Sequence, residues 1–397
     1  MISGRGSETM YRVVDLQRVH VYGDSDNFCA EVSVANLGDG ELVGVLAQNR
    51  GLVHTDTGTI LLVRSKDHGK TWDPASKVTV LAEEEDAGWN VAAICRLSDG
   101  TLLVHGNRWR YLDHGRIDRQ HGTSEIDGVW LTRSIDKGRT WSPPERVNFA
   151  PMRNARVRDA ILELPNGDLL MPLHGFRWQR TMPDISSAER ERSFVLWSPN
   201  KGKTWHYYGT MGYDPAEIIH YHEPGLVRLH DGRLLGLMRT QRWPSPADPG
   251  EQMGPPSGYI YGAFSEDDGM SWSWPRTTRL WGYPTDAITL DGGAVLAAYS
   301  YRTKPMGVRI AVSPDGDRWA PDDVFTLASY DPARVRPAFP TWEGEPLDSI
   351  IQRGVLWHIG YPSSILLDDG RVFTGYHLFN AQGRQYVEGA IYRVVRG

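Results

Sequence analysis

The eight-residue pattern Ser-x-Asp-x-Gly-x-Thr-Trp recurs along the chain and constrains its fold more than any other feature. Copies begin at Ser65, Ser134, Ser198 and Ser265, and a shortened copy begins at Ser313. The Asp or Asn side chain can hydrogen-bond to its own loop, the Gly allows positive φ, and the Trp supplies a large ring to bury. Repetition at intervals of about 65 residues indicates an array of similar units.

A second repeat has the same spacing and consists of tight turns between apolar runs. These turns are Asp39-Gly40, Asp99-Gly100, Asn166-Gly167, Asp231-Gly232, Asp291-Gly292 and Asp369-Gly370. Asp-Gly and Asn-Gly between alternating runs are strong hairpin signals. Each unit continues with a third strand that ends in the Ser-x-Asp pattern and a fourth, less regular strand. The sequence therefore predicts an all-β protein, a six-bladed β-propeller with four-stranded antiparallel blades.

We expect residues 1–397 to form a single propeller domain. The sixth unit has only three obvious strands before the C-terminus, whereas a strand-like run at residues 11–23 precedes the first unit. The sequence therefore predicts that this N-terminal strand closes the last blade.

Composition and charge exclude several classes of protein. A net charge of −6 without basic runs gives no electrostatic basis for binding nucleic acid. No apolar stretch approaches the roughly 18 residues of a membrane span. The N-terminus lacks an apolar signal core, which favours a cytoplasmic protein, or a secreted one if a leader has been removed. Cys29 and Cys95 lie in apolar runs and are expected to be buried free thiols. Without HExxH or CxxC spacing, we expect no metal and no cofactor; the oligomeric state is left open.

The residues eight positions before each turn indicate where a site would form. They are Glu31, Val91, Arg158, Glu223, Tyr283 and Tyr361. Equivalent positions in the blades of a propeller converge on one central funnel. Five of these six residues are ionisable or phenolic although the strands that follow are apolar, which indicates a polar site on the axis.

Arginine recurs eleven positions after the turns. These residues are Arg50, Arg110, Arg177, Arg242 and Arg302, with Asn380 at the sixth position. They form either a cationic or polyhydroxyl-binding rim or a ring of salt bridges that ties the blades together. The ends of the second strands add His105, Asn107, His174 and His377. A hydrogen-bonding role in the core is favoured for the histidines, and His174 is also a candidate substrate contact.

Three segments resemble the sialidase (neuraminidase) superfamily of six-bladed propellers. Residues 360–376, GYPSSILLDDGRVFTGY, are similar to the segment that carries its nucleophilic tyrosine, which would be Tyr361. Residues 223–239, EPGLVRLHDGRLLGLMR, are similar to the segment with the partner glutamate and a substrate-binding arginine, which would be Glu223 and Arg239. The stretch from Arg50 to Asp56 resembles the loop with the acid/base aspartate, which would be Asp56.

These residue types suit glycoside hydrolysis. A phenol has a pKa near 10 and needs a base to become a nucleophile, and Glu223 would be that base. Asp56 would protonate the leaving oxygen and later activate water. Three structural readings stay open: Tyr361 packing under a turn, Glu223 in a buried pair with an arginine, and Asp56 capping its loop.

The chain departs from the superfamily at the arginines that surround the sugar carboxylate. Where the first of the three is usual, this chain has Glu31, and two anions in a partly dry site repel by several kcal/mol. Arg239 fits the second position, Arg302 and Arg309 are candidates for the third, and Arg158 could place a cation elsewhere in the funnel.

The sequence therefore favours an exo-acting glycoside hydrolase that cleaves a terminal sugar other than ordinary sialic acid from a glycan. A polysaccharide lyase acting on a uronate and a non-catalytic glycan-binding propeller are the alternatives.

Overall fold

The computed structural model describes residues 10–52, 58–111, 124–177, 191–216, 218–242, 258–338, 341–342, 345–346, 348 and 359–397. The elements of this part of the chain are β-strands, and it contains no helix long and apolar enough to cross a membrane. The chain opens with β1 (Tyr11–Gly23).

The first five blades follow in chain order. Blade one contains β2 (Asn27–Gly38), β3 (Glu41–Arg50), β4 (Thr59–Ser65) and β5 (Asp73–Leu81). Blade two contains β6 (Ala87–Arg96), β7 (Leu102–Tyr111), β8 (Ser124–Ser134) and β9 (Glu145–Arg146). Blade three contains β10 (Met152–Val157), β11 (Leu162–Glu163), β12 (Leu169–Arg177), β13 (Arg192–Ser198) and β14 (His206–Gly212). Blade four contains β15 (Ile219–Arg228), β16 (Leu234–Arg242), β17 (Tyr259–Ser265) and β18 (Arg276–Trp281). Blade five contains β19 (Thr285–Thr289), β20 (Val295–Tyr301), β21 (Met306–Ser313) and β22 (Val324–Tyr330).

The sixth blade is built from both ends of the chain. After a short hairpin of β23 (Thr341–Trp342) and β24 (Glu345–Pro346) come β25 (Gly360–Leu366), β26 (Val372–Phe379) and β27 (Gln385–Arg396). The outer edge of β27 pairs antiparallel with β1, from Tyr11 opposite Arg396 to Gly23 opposite Tyr386. The N-terminal strand therefore closes the ring, and the predicted six-bladed β-propeller is confirmed.

The hydrophobic core lies between the blades. Apolar side chains on the two faces of each sheet form clusters that join neighbouring blades, such as Leu46 with Phe373 and Leu62 with Ile94. Each inner strand buries both of its faces, so apolar and polar residues alternate less regularly along it than along a half-exposed strand. Cys29 and Cys95 belong to this core as free thiols, and burial raises the pKa of each to about 12, so neither forms a reactive thiolate at neutral pH.

The repeated Ser-x-Asp pattern forms a loop fastened by its own side chains. In the first copy Ser65 Oγ donates to Asp67 Oδ1 at 2.8 Å and accepts the Gly69 N–H at 3.0 Å. The Trp72 ring donates to the Gly69 carbonyl and packs 5.5 Å from the Phe373 ring of blade six. These loops hold one blade against the next and so stabilise the architecture. The residues of the site come from the inner strands instead.

Candidate active site

The innermost strands carry β-bulges at the mouth of the funnel, and a residue other than glycine takes positive φ at each. These residues are Glu31 (φ 58°), Val91 (φ 45°), Asn154 (φ 50°), Glu223 (φ 45°) and Tyr361 (φ 48°). A bulge redirects a side chain out of the regular alternation, and positive φ is strained for such residues. Strain of this kind clusters at functional sites. The bulges thus turn Glu31, Glu223 and Tyr361 away from the regular pattern of their strands.

In blade three, counting eight residues back from the hairpin turn gives the wrong residue. The bulge lies between Arg153 and Arg156, so Asn154 is the structural equivalent of Glu223, and Arg158 is not. Residues 158–161 separate β10 from β11 and lengthen this inner strand relative to the others. Arg158 nevertheless reaches the funnel, where its Nη2 donates to the Pro362 carbonyl at 2.5 Å.

The centre of the site is a chain of three side chains from blades six and four. Tyr361 Oη donates to Glu223 Oε1 at 3.0 Å, and Arg239 Nη1 donates to Glu223 Oε2 at 3.0 Å. Both oxygens of the carboxylate therefore have a partner, and the side chains are mostly buried, with Tyr361 9% exposed. The arrangement combines two expectations from the sequence, a phenol beside its carboxylate and a carboxylate paired with an arginine.

Burial and the neighbouring charges move the pKa values of Tyr361 and Glu223 further apart. Burial, and then the Glu223 charge, raise the pKa of Tyr361. Burial alone would raise the pKa of Glu223, but the positive charge of Arg239, with a contribution from Arg302, lowers that pKa below its usual range. In the resting site the proton therefore stays on the phenol and the carboxylate is ionised.

Three arginines surround the phenol rings of Tyr361 and Tyr283. The Arg302 guanidinium lies 5.2 Å from the Tyr361 ring centre and 5.0 Å from that of Tyr283. Arg239 lies 4.1 Å from the Tyr283 ring, and Arg158 lies 5.6 Å from the Tyr361 ring. Arg302 is only 2% exposed, and its Nε and Nη2 have no hydrogen-bond partner among the described residues. The Nε atoms of Arg158 and Arg239 are likewise buried without a partner in the described part of the chain.

Glu31 lies close enough to contribute to the raised pKa of Tyr361. Its backbone N–H donates to His377 Nδ1 at 3.0 Å, and its Oε2 accepts the Val91 N–H at 3.0 Å. The His377 ring stacks on Tyr361 with ring centres 5.5 Å apart. The carboxylate that replaces the expected arginine thus links blade one to blade two beside the phenol.

At the ends of the second strands, His105 Nε2 lies 3.0 Å from the Asp159 carbonyl, whereas polar residues of four blades share another structural task. Each accepts the backbone N–H at or near the bulge of the next blade. His174 Nδ1 accepts from Glu223 at 3.1 Å, as His377 does from Glu31; Ser300 Oγ accepts from Tyr361 at 2.9 Å, and Asn107 Oδ1 from Val157 at 2.8 Å. These side chains therefore support the strained backbone of the site.

The arginines eleven positions after the turns do not act as one set. Arg50 is exposed (62% of its side chain) and pairs with Glu83 at 2.7 Å, and Arg110 pairs with Glu125 at the exposed rim. Arg302 instead turns into the buried site, while Arg177 ends β12. Asp56, the expected acid/base, lies outside the described residues.

Sequence reasoning missed three residues beside Glu223, namely Arg156, Glu191 and His222. Glu191 Oε2 lies 2.6 Å from His222 Nδ1, and its Oε1 pairs with the Arg156 guanidinium. The run His220-Tyr221-His222-Glu223 was the available signal, because it places two histidines directly before the candidate base.

The comparisons with known proteins agree with this architecture. The BNR repeat-like domain family matches residues 114–374. A solved protein of unknown function from Dyadobacter fermentans DSM 18053 superposes with a TM-score of 0.75 at 23% identity, covering 97% of this chain and 100% of that one. No curated protein sequence matches significantly.

Other solved structures are sugar-processing enzymes. The intramolecular trans-sialidase of Ruminococcus gnavus, in complex with oseltamivir carboxylate, has a TM-score of 0.60 at 14% identity, covering 95% of this chain and 96% of that one. An α-L-arabinanase of Penicillium chrysogenum, complexed with arabinobiose, has a TM-score of 0.60 at 14% identity and covers 94% and 97%. Identities this low show a shared fold.

The fold is thus that of the glycoside-hydrolase-like propellers to which sialidases and this arabinanase belong. The chain belongs to the BNR repeat-like domain family, and it shares its propeller fold with the sialidases that the sequence resembles.

Proposed function

We propose that the protein is an exo-acting glycoside hydrolase that releases a terminal acidic sugar from a glycan. The observation that carries the proposal is the 3.0 Å hydrogen bond from Tyr361 to Glu223 in a pocket bordered by three guanidinium groups. Tyr361 is the nucleophile, Glu223 is its base, and Asp56 is the acid/base.

In the first step Tyr361 Oη bonds to the anomeric carbon as the bond to the leaving oxygen breaks. The phenol proton passes to Glu223, and Asp56 gives a proton to the leaving oxygen. Because the resting pKa values keep the proton on Tyr361, transfer accompanies attack and does not precede it. Water, deprotonated by Asp56, then attacks the anomeric carbon, the bond to the phenolic oxygen breaks, and Glu223 returns its proton to that oxygen. Two displacements at one carbon retain its configuration.

The arginines favour an acidic sugar. Burying a cation without a partner costs several kcal/mol, and a sugar carboxylate that reaches the two Arg302 nitrogens without a partner in the described residues would offset that cost. Three guanidinium groups border the Tyr361 and Tyr283 rings beside the carboxylates of Glu31 and Glu223, while the carboxyl groups of Asp159 and Asp286 lie near Arg158. A neutral nucleophile suits such a substrate because it does not repel the sugar carboxylate.

The position of Glu31 argues for a sugar held differently from sialic acid in ordinary sialidases. The first arginine of the usual clamp is absent, while Arg158 approaches the phenol from blade three. The cation thus comes from another direction around the ring of blades. We expect an acidic sugar whose carboxylate is placed accordingly, such as a uronic acid or a nine-carbon acid in a rotated pose.

A panel of aryl glycosides tests the proposal, with sialosides and uronides as the acidic members and rhamnosides and arabinofuranosides as the neutral ones. The best substrate is then converted to its fluorinated glycosyl fluoride, which should leave a sugar attached to the peptide that contains Tyr361. Tyr221→Phe, a buried phenol in β15 outside the site, is the matched control and should still be labelled. Labelling of a carboxylate instead of Tyr361 would refute the assignment of the nucleophile.

A polysaccharide lyase is the second candidate, because the same arginines could neutralise a uronate carboxylate while Tyr361 removes the adjacent proton. The raised pKa of Tyr361 weighs against it, since a lyase needs the phenolate before the reaction begins. An unsaturated product that absorbs ultraviolet light would favour the lyase. Glycan binding without turnover, unchanged in Tyr361→Phe, would favour a binding protein.

A further inference from the structure

A cluster of Glu191, His222 and His174 lies where blades three and four meet, beside the proposed base. One carboxylate oxygen of Glu191 and a ring nitrogen of each histidine lie within 4.8 Å of one another. Glu191 is only 3% exposed, and Arg156 and His222 occupy its two oxygens. His220 accepts the Glu191 backbone N–H at 3.1 Å. The Glu191 carboxylate is therefore held by two side chains, and its backbone by a third.

The partners of the two rings define their tautomers. An ionised carboxylate only accepts, so the 2.6 Å contact places a proton on His222 Nδ1 and leaves a lone pair on its Nε2 when the ring is neutral. That Nε2 is buried and has no hydrogen-bond partner in the described ranges. His174 has the opposite arrangement, because its Nδ1 accepts the Glu223 N–H and its proton must lie on Nε2.

The centres of the His174 and His222 rings are 5.8 Å apart. The two rings lie side by side, with no hydrogen bond to His222 Nε2 in the described ranges, and His174 contacts the strained bulge of the base through its Nδ1.

We propose that His174 acts as a positioning residue for Glu223 in its neutral Nε2–H form, and that Arg156 and His222, both held by Glu191, favour that form from the neighbouring strands. This inference rests on the proposed function, in which Glu223 is the base. His174 does not touch the substrate in this role; it holds the backbone of the residue that accepts the proton.

A metal ion suits the cluster less well. A metal on His174 Nε2 would leave a proton on Nδ1 of the neutral ring, facing the Glu223 N–H that it now accepts. The 2.6 Å separation of Glu191 and His222 also suits a hydrogen bond better than two ligands of one ion.

Protonation of His174 would break the arrangement, because both ring nitrogens would then carry hydrogen and two donors would face each other at the bulge. The groups that face the ring are Arg156 on β10, Glu191 before β13, His222 and Glu223 on β15, and Arg239 on β16. Burial first, and then the charge of Arg156, lower the pKa of His174 well below its usual value. The loss should therefore appear only in acidic solution.

The first experiment compares two replacements of His174 on the best substrate of the glycoside panel. His174→Leu removes the acceptor and should lower kcat more than tenfold at neutral pH, with a smaller change in KM. His174→Asn supplies an amide acceptor, as Asn107 does in blade two, and should recover most of that loss while moving the acidic limb of the kcat profile to lower pH. His377→Asn, the same replacement at the Glu31 N–H, should leave that limb in place. An unmoved limb in His174→Asn would overturn the proposal.

The second experiment does not depend on turnover. Proton–nitrogen NMR correlation spectra of protein with isotope-labelled histidines should show His174 with its proton on Nε2 and His222 with its proton on Nδ1 at neutral pH. His174→Asn and His222→Asn variants assign the signals. A proton on His174 Nδ1 would refute the positioning role of His174 even in an active enzyme. The expected tautomers in a protein without glycosidase activity would show that only the proposed function had failed.

Discussion

The phenolic oxygen of Tyr361 lies 3.0 Å from Glu223 Oε1, although the two residues are 138 positions apart and belong to blades six and four. Each sits at the bulge of its inner strand with φ near 45–48°. The ring of blades therefore brings together two side chains that no local motif connects. Arg239 completes the contact by holding the second oxygen of the carboxylate.

Tyr361→Phe should lower kcat on the best glycoside by about a hundredfold or more, because the phenol oxygen forms the bond to the sugar. The ring is retained, so its packing against His377 and the melting temperature should change little. The measurement is steady-state kinetics with Tyr221→Phe as the matched control. A turnover rate within about threefold of wild type would remove Tyr361 from the mechanism.

Arg302→Met should lower the activity of the enzyme without lowering its stability. The guanidinium is buried with two unpartnered nitrogens in the described structure, and replacing such a cation by an apolar chain of similar length is often neutral or stabilising. We expect an unchanged or higher melting temperature and at least a tenfold loss of kcat/KM for acidic substrates, with a smaller loss for neutral ones.

Arg50→Met is the control for that variant, because Arg50 occupies the equivalent position in blade one and pairs with Glu83 at the exposed rim. It should leave the preference for acidic over neutral sugars as it is. An equal loss of activity on both classes of sugar in Arg302→Met would contradict a role in binding the carboxylate.

The two sequence repeats predicted the fold and part of the site. Counting from the hairpin turns located Glu31, Glu223 and Tyr361 at their bulges, because the inner strands of those blades have the same length between bulge and turn. The count failed in blade three, where residues 158–161 lengthen the inner strand and move the bulge to Asn154. Arg158 reaches the site through this irregularity, which the turn spacing does not reveal.

Side-chain direction was the second limit. Arg50 and Arg302 occupy equivalent positions in the repeat, yet one forms an ion pair at the rim and the other lies against two buried phenol rings. Position in a repeat therefore does not predict which partner a long side chain finds. Glu191 was missed for a related reason, because its role depends on His222 of the next blade and no spacing along the chain connects them.

Asp56→Ala should affect substrates according to their leaving groups, since an acid is needed only when the departing oxygen is basic. Turnover of natural glycans should fall by about a hundredfold or more, while aryl glycosides with acidic phenols should be attacked at nearly the normal rate. Azide should then partly restore turnover by replacing the activated water. A uniform loss for all leaving groups would contradict the acid/base role.

Asp286→Asn should change how stability depends on pH. Asp286 is buried near Asp159 and accepts the Ser364 N–H at 2.6 Å. Burial, and then the charge of Asp159, raise the pKa of Asp286 to about 7. The folded protein therefore keeps a proton that the unfolded chain releases near pH 4, so stability falls as pH rises between these values, by an amount on the order of a few kcal/mol.

In the Asp286→Asn variant the new amide oxygen could still accept the Ser364 N–H, but the side chain carries no charge to bury. We therefore expect this variant to match the wild type near pH 4 and to melt at a higher temperature above pH 7, with a flatter profile between. Thermal melts at a series of pH values provide the measurement. Asp291→Asn, in the exposed turn of the same blade, is the control and should keep the wild-type slope. Parallel slopes in the wild type and both variants would show that Asp286 does not hold the proton.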